Sequence, residues 1–258
     1  TAGWLPTVHH PSDASRLDLS LDIPVAWEAV ASGIAVQDSV SGDRRHTRFV
    51  LDDDAPPYTF AFALADFTLV EESQTVQHAL LAGNVGLAGR LDRTSAALDT
   101  LAALFGPYPY ARYTTVQVPM TFAGMENAAA PFLRAELYRT DVPGRNAIEE
   151  VIWHELVHQW WGNAVVPADW IDLWLAEGPA TYFTADLYDR LDGADAGRRH
   201  LALMVRQLES RDARVALVPD GYGDPADMLS PTVYQKGGAV LHTLRLILGL
   251  PVESDDTN

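Results

Sequence analysis

The residues best placed to do chemistry are His154, Glu155 and His158, in the run Val151-Ile-Trp-His-Glu-Leu-Val-His158. Residues four apart on a helix share a face, so His154 and His158 can aim two imidazoles at one ion. Glu155, one residue round, then faces the water such an ion activates. This is the geometry of metal-assisted hydrolysis. With only 8 His in 258 residues, His-Glu-x-x-His arises by chance roughly 0.01 times in a chain of this make-up. That rarity favours a metal site over two hydrogen-bonded core histidines.

A helix must carry this pattern. Asn146 and Glu149 are spaced as a capping pair, Ile148, Val151, Ile152 and Leu156 mark an apolar stripe, and Gly162 is a natural stop. A catalytic zinc site takes three protein ligands and leaves one position open. The chain has no cysteine, so the donors are imidazoles and carboxylates. Glu177 is the candidate third ligand: the 18 residues after His158 allow a loop and a return on a second helix. The alternative is that Glu177 only caps that helix.

His-Glu-x-x-His, the 18-residue gap and Trp174-Leu-Ala-Glu177-Gly-Pro-Ala-Thr181-Tyr182 together resemble the gluzincin zinc aminopeptidases of the aminopeptidase N family. Two more segments are similar to motifs of that family. Gly124-Met125-Glu126-Asn127, which alone would read as a surface turn, resembles its G-x-M-E-N motif. Tyr234-Gln-Lys236-Gly resembles its Y-x-K-G segment. The resemblance implies one zinc per chain on His154, His158 and Glu177, with Glu155 as general base. It also implies that Tyr234 donates to the oxyanion and that Gly124, Met125, Glu126 and Asn127 bind substrate, Glu126 accepting the free α-ammonium. Glycine at 124 permits close backbone approach. Lys236 is the only lysine, where arginine is used throughout, which points to a need for a compact ammonium there.

Two positions depart from the family pattern. Ala176 stands where Asn is common and Pro179 where an aromatic is common. Neither removes a ligand, and a proline in the first helical turn is tolerated, so the expectation is a metal site with altered subsite packing.

The elements that position these residues read as follows. Leu17 to Ile23 alternates apolar and polar residues and predicts a half-buried strand. Val40 to Asp43 and Asp52 to Pro57 are turn chemistry, the acidic triplet Asp52 to Asp54 reading as a solvated loop before the apolar run Phe60 to Val70. His9, His10 and His46 lack metal spacing and receive no role. Leu87, Leu91, Leu98, Leu101 and Leu104 predict a helix over 86–105, and Tyr113 to Val118 a strand. Leu201, Met204, Val205 and Leu208 predict one later packing helix, and Val240, Leu241, Leu244 and Leu248 another ending at Gly249. The polar tail from Glu253 to Asn258 reads as disordered.

The resulting fold expectation is α+β. Residues 1–68 would be the later part of an N-terminal antiparallel β domain, and 69–258 a thermolysin-like zinc metallopeptidase domain. By the same resemblance the first half of the β domain and a large helical C-terminal domain are missing, and with them a second amine anchor found in some members. Starting at Thr1 without a signal core, the chain reads as processed or as a piece.

A net charge of −17 argues against nucleic acid and anionic membranes as partners, and no apolar run is long enough to span a bilayer. The partners expected are peptides with a free N-terminus. Arginine-for-lysine and aspartate-rich usage points to a GC-rich bacterial genome or salt adaptation, and the reading is a cytoplasmic protein with export left open. The alternatives are a thermolysin-like endopeptidase, an epoxide hydrolase on the same site, or a catalytically silent zinc-binding module. Retention of Glu155 counts against the last, because structural zinc needs no such carboxylate.

Overall fold

The structure, a computed structural model, describes residues 3–209 and 215–249, so the tail read as disordered lies outside the described residues. β1 (Ser15–Pro24), β2 (Glu28–Ala31), β3 (Ile34–Ser41) and β4 (Arg44–Ala55) open the chain. The alternation from Leu17 has the expected cause: Leu17 and Ile23 are buried while Asp18, Ser20 and Asp22 face outward. β1, β4 and β3 form an antiparallel sheet in the order β1-β4-β3, and β2 pairs with β5 (Phe62–Ala65). Gly42, at φ 64°, makes the tight turn between β3 and β4.

The acidic triplet is not a loop. Asp52, Asp53 and Asp54 continue β4, exposed, between buried Leu51 and Ala55. Pairing of Leu17 with Leu51 and of Ser15 with Ala55 holds the strand extended past the point where composition alone suggests a turn. The turn begins at Pro56, with a 3-10 turn over Pro57–Thr59.

β6 (Phe67–Glu71), β7 (Val76–Leu81), β8 (Tyr113–Val118), β9 (Gly124–Met125) and β10 (Phe132–Arg134) form a mixed five-stranded sheet in the order β6-β7-β8-β10-β9. β11 (Asp141–Val142) and β12 (Arg145–Asn146) make a small hairpin ahead of the helical half. The apolar run from Phe60 is therefore shared between β5 and β6, which belong to different sheets.

The helix expected over 86–105 is two elements, a 3-10 turn over Val85–Arg90 and α1 (Thr94–Phe105). Leu87, Leu91, Leu98 and Leu101 still face one core, so the periodic signal was real while the backbone breaks between them. α1 stops at Gly106, at φ 95°. α2 (Ala147–Val157), α3 (Trp174–Asp192), α4 (Ala194–Glu209) and α5 (Gly237–Ile247) complete the fold. Ile148, Ile152, Trp153 and Leu156 of α2 are fully buried against Val76 and Tyr113 of the sheet and Leu101 of α1. Burial of these side chains stabilises the helical half, at about 25 cal/mol per Å² of apolar surface removed from water.

Three local expectations for the site helices need correction. Asn146 does precede α2 but makes no capping bond: its amide donates to the Arg90 carbonyl at 2.7 Å, and Glu149 is taken by Arg93 and Tyr188. α2 ends at Val157, before Gly162, whose φ of 124° instead turns the following loop. Pro179 lies in the second turn of α3, not the first. It deprives the Leu175 carbonyl of its helical partner.

Met204 of α4 is buried as expected, but Val205 is exposed. Of the α5 residues expected to pack, Val240, Leu244 and Leu248 are also exposed. Among the described residues no helix is long and apolar enough to cross a membrane.

Candidate active site

Helical spacing and one tertiary contact assemble the donor set. His154 and His158 sit at the C-terminal end of α2, and Glu177 lies in the opening turns of α3, which packs across α2. His158 Nε2 is 3.2 Å from His154 Nε2 and 3.2 Å from Glu177 Oε2, and His154 Nε2 is 3.3 Å from the same oxygen. These three atoms converge as ligands of one ion would, and all lie within 4.8 Å of one another. His158 Nδ1 lies 3.0 Å from the Trp161 carbonyl. Donation to that carbonyl requires the proton on Nδ1, leaving the Nε2 lone pair for a metal.

Electrostatics supports a cation here. Glu126, Glu155 and Glu177 face one another across a largely dry site, and each like charge raises the cost of the others. Burial pushes the Glu155 carboxyl well above the usual carboxylate range; His158 opposes the shift, while Glu126 and Glu177 add to it. Burial works the same way on Glu126, with the Glu177 charge adding to it and His158 opposing. Burial alone would lower the His158 pKa, but the Glu177 carboxylate overrides it and carries it up to about 10. Glu177 itself, despite burial, is held far below the usual range by His158 and His154. Three carboxylates and two imidazoles converging in this way fit a divalent ion with imidazole and carboxylate ligands.

The other expected site residues surround this centre. Tyr234 lies in a single π-turn over Thr232–Lys236, closed by the Gly237 N–H bonding to the Thr232 carbonyl. Its ring stacks on His154 with centroids 6.0 Å apart, and its phenol interacts with the Glu177 carboxylate. Burial, then Glu177 and Glu126, raise the phenol pKa far above its ordinary value, so the hydroxyl stays a proton donor. A glycine contact fixes where this turn lies: a Cβ built on Gly178 would sit 2.9 Å from Gly237 backbone, and one on Gly237 would sit 2.9 Å from the Gly178 Cα. Lys236 donates to the Val215 carbonyl at 2.7 Å, away from the donor set.

Gly124 and Met125 form β9, the sheet edge beside the donors. A Cβ at Gly124 would overlap Glu155 Oε1, so the close approach that glycine permits is first to the carboxylate of α2. Glu126 points into the cleft, while Asn127 is fully buried, its amide donating to the Thr59 carbonyl at 3.1 Å. Asn127 therefore ties this segment to the 3-10 turn.

Several contributors had no signal in the sequence because they act through distant contacts. The buried Tyr58 phenol interacts with the Glu126 carboxylate. Asn163 donates to the Glu126 carbonyl at 2.8 Å, and Gln159 accepts from the Ala129 N–H at 2.9 Å, holding the segment after Asn127 against the end of α2. His9, given no role, stacks on Trp170 with centroids 5.5 Å apart and lines the cleft; His10 lies 3.5 Å from Asp169. Ala176 packs with Tyr58, Trp170, Leu173 and Met228 in an apolar cluster.

Two recesses meet at Gly124, Glu126, Glu177 and Tyr234. The one of about 320 Å³ runs past His154, Glu155 and His158 towards α4. The other, about 650 Å³, is walled by Tyr58, Met125, Phe132 and Trp170.

The model of the Peptidase family M1 domain matches residues 90–254. Aminopeptidase RNPEPL1 of Mus musculus is 30% identical over 172 residues, covering 62% of this chain and 23% of the relative. Leucine aminopeptidase 2 of Coccidioides immitis is 27% identical over 266 residues, covering 95% of this chain and 41% of the relative. Among solved structures, a mutant M1 zinc metallopeptidase from Deinococcus radiodurans, bound to a Tyr-Ser-Ala substrate, superposes with a TM-score of 0.77 at 26% identity, over 96% of this chain and 56% of that one. Yeast LTA4 hydrolase in complex with bestatin superposes with a TM-score of 0.81 at 22% identity, over 95% and 40%, a likeness of fold. The chain thus spans 23% to 56% of the length of these proteins, and its α+β layout matches the shared part.

Proposed function

The chain belongs to peptidase family M1, and from that premise we propose that it is a zinc aminopeptidase removing the N-terminal residue from peptides. The observation that carries this is the juxtaposition of a three-donor metal set with a second acid, Glu126, on the sheet edge of the same cleft. His154, His158 and Glu177 would hold the zinc. When bound, zinc supplies Lewis-acid chemistry, polarising the scissile carbonyl and making a water acidic.

The remaining work falls to the chain's own residues. Glu155 takes a proton from the attacking water and passes it to the leaving amine. The Tyr234 hydroxyl, kept protonated, donates to the oxygen on which charge develops. Glu126 accepts the substrate α-ammonium, with Asn163 holding its main chain and the Tyr58 phenol beside its carboxylate. β9 pairs with the substrate backbone in the manner of an added strand, and the recess of Tyr58, Met125, Phe132 and Trp170 receives the N-terminal side chain. With Glu126 anchoring the amine, only the first peptide bond reaches the donor set. We place the division between the β part and the catalytic domain near residue 68, where β5 and β6 part to different sheets.

Zinc dependence tests this reading. Hydrolysis of a free aminoacyl amide should stop on chelation and return with one equivalent of zinc, whereas His158→Phe should bind no zinc by elemental analysis. Full turnover by the metal-free protein would contradict it.

A further inference from the structure

The recess beyond the donor set leads into a second pocket, of about 450 Å³, through Arg145, His200 and Leu203, which line both. In a chain of net charge −17, this second pocket carries three arginines, Arg145, Arg199 and Arg206, against one carboxylate, Asp192, which is paired with Arg93. Arg199 and Arg206 line it from α4, seven residues apart and therefore on one helical face, with Leu203 between them. Most described arginines are neutralised by carboxylates, including Arg93 by Asp192 and Arg145 by Glu150. Arg134 and Arg139 donate to Thr121 and Asn84 instead. Among the described residues, Arg199 and Arg206 are the two arginines with neither an ion pair nor a hydrogen bond. His200, between the two recesses, stacks on Tyr188 at 3.6 Å and has its Nε2 buried without a partner.

We propose that this pocket is an anion subsite that receives a carboxylate of the leaving peptide. The inference rests on the aminopeptidase reading of the adjoining cleft. Position supports it: Glu150 precedes His154 by one helical turn, roughly 6 Å along the axis, and Arg145 precedes the helix. At about 3.4 Å per residue, an extended peptide covers that span in two or three residues past the cleaved bond. Charge supports it as well. Glu126 attracts the ammonium at one end of a short peptide, and Arg199 and Arg206 attract the carboxylate at the other, so tri- and tetrapeptides are the substrates that engage both. Planar guanidinium groups suit a carboxylate through paired donors.

The experiment is equilibrium binding to zinc-loaded Glu155→Gln protein, in which slow turnover does not consume the probe, using Tyr-Ser-Ala, its C-terminal amide, and Tyr-Ser-Asp amide. The free acid should bind about tenfold tighter than the amide, a difference of about 1.4 kcal/mol. The double variant Arg199→Gln/Arg206→Gln should remove that preference while binding the amide as before. Tyr-Ser-Asp amide binding as tightly as the acid would locate the recognised carboxylate on a side chain; weak binding would locate it at the terminus. Equal affinity for acid and amide, or a preference that survives the double variant, overturns the subsite. The peptidase reading is judged separately, by whether the unsubstituted protein cleaves the Tyr-Ser bond of the amide.

Discussion

Glu155 is confined by a residue with no side chain. Its carboxylate fills the space a Cβ on Gly124 would occupy, so Gly124→Ala must displace the base without touching a metal ligand. That variant should keep its zinc by elemental analysis and lose turnover on the scale of Glu155→Gln, on the order of a hundredfold, the usual cost of losing a general base. Unchanged turnover in Gly124→Ala would mean that Glu155 has room to work elsewhere. At this scale the sequence was most informative about the donors, because a four-residue helical interval is a strictly local rule. Glu177 is legible as the third ligand only through its motif, with a helix cap as the alternative, and its 3.2 Å approach to His158 favours the ligand. Tyr58, Gln159 and Asn163 carried no signal, since their roles depend on where segments far apart in sequence meet.

Among elements, the contact between α3 and the π-turn holds the phenol against the donor set. Gly237→Ala would wedge a methyl against Gly178 backbone, which cannot yield as a flexible side chain can. Loss of the Tyr234 hydroxyl in Tyr234→Phe should lower kcat by roughly a hundredfold with KM little changed. Gly237→Ala should lower kcat similarly, and the two together should cost no more than either alone. Gly238→Ala meets only the movable Met204 Sδ at 2.7 Å and a Thr181 methyl, so it should be nearly silent. Additive losses would show that Gly237 acts on folding and not through Tyr234.

The start of α1 is held from another element. Glu72, from the turn between β6 and β7, accepts from the Ser95 N–H at 2.6 Å at the start of α1 and from buried His78 at 2.9 Å. Burial would raise its pKa, but the bonds from His78 and Ser95 prevail and hold it below the ordinary value of 4.5. A depressed carboxylate stabilises the fold above its unfolded pKa and loses that contribution as pH falls through the folded value. Glu72→Ala should therefore destabilise by about 1–2 kcal/mol at pH 7, the scale of a lost cap. The gap to the parent in denaturant unfolding should close below pH 4.5; a gap independent of pH would assign the loss to packing. Such a cap arriving from another element explains why the start of α1 was misjudged: the apolar stripe continued upstream, while the residue that sets the helix start lies on a turn of the sheet.

At the scale of the whole molecule, layers are legible from residue periodicity and joins between them are not. The alternation in β1, the burial of α2 and the order of a β part before a helical part follow from periodicity. The extension of β4 through three aspartates and the seating of His9 on Trp170 do not, because pairing across sheets and packing of the N-terminal segment decide them. Of these joins, the seating of His9 on Trp170 walls the 650 Å³ recess around Glu126, and so it bears on specificity more than on the metal.

The central claim is that Glu126 makes this cleft an exopeptidase site, and the most direct measurement compares kcat/KM for a free aminoacyl amide and its N-acetyl form in one zinc-loaded sample. A buried carboxylate deprived of its cation is costly, so the free substrate should be cleaved at least about a hundredfold faster. Glu126→Ala should erase most of that ratio by slowing the free substrate. Equal rates on the free and acetylated substrates would contradict the account.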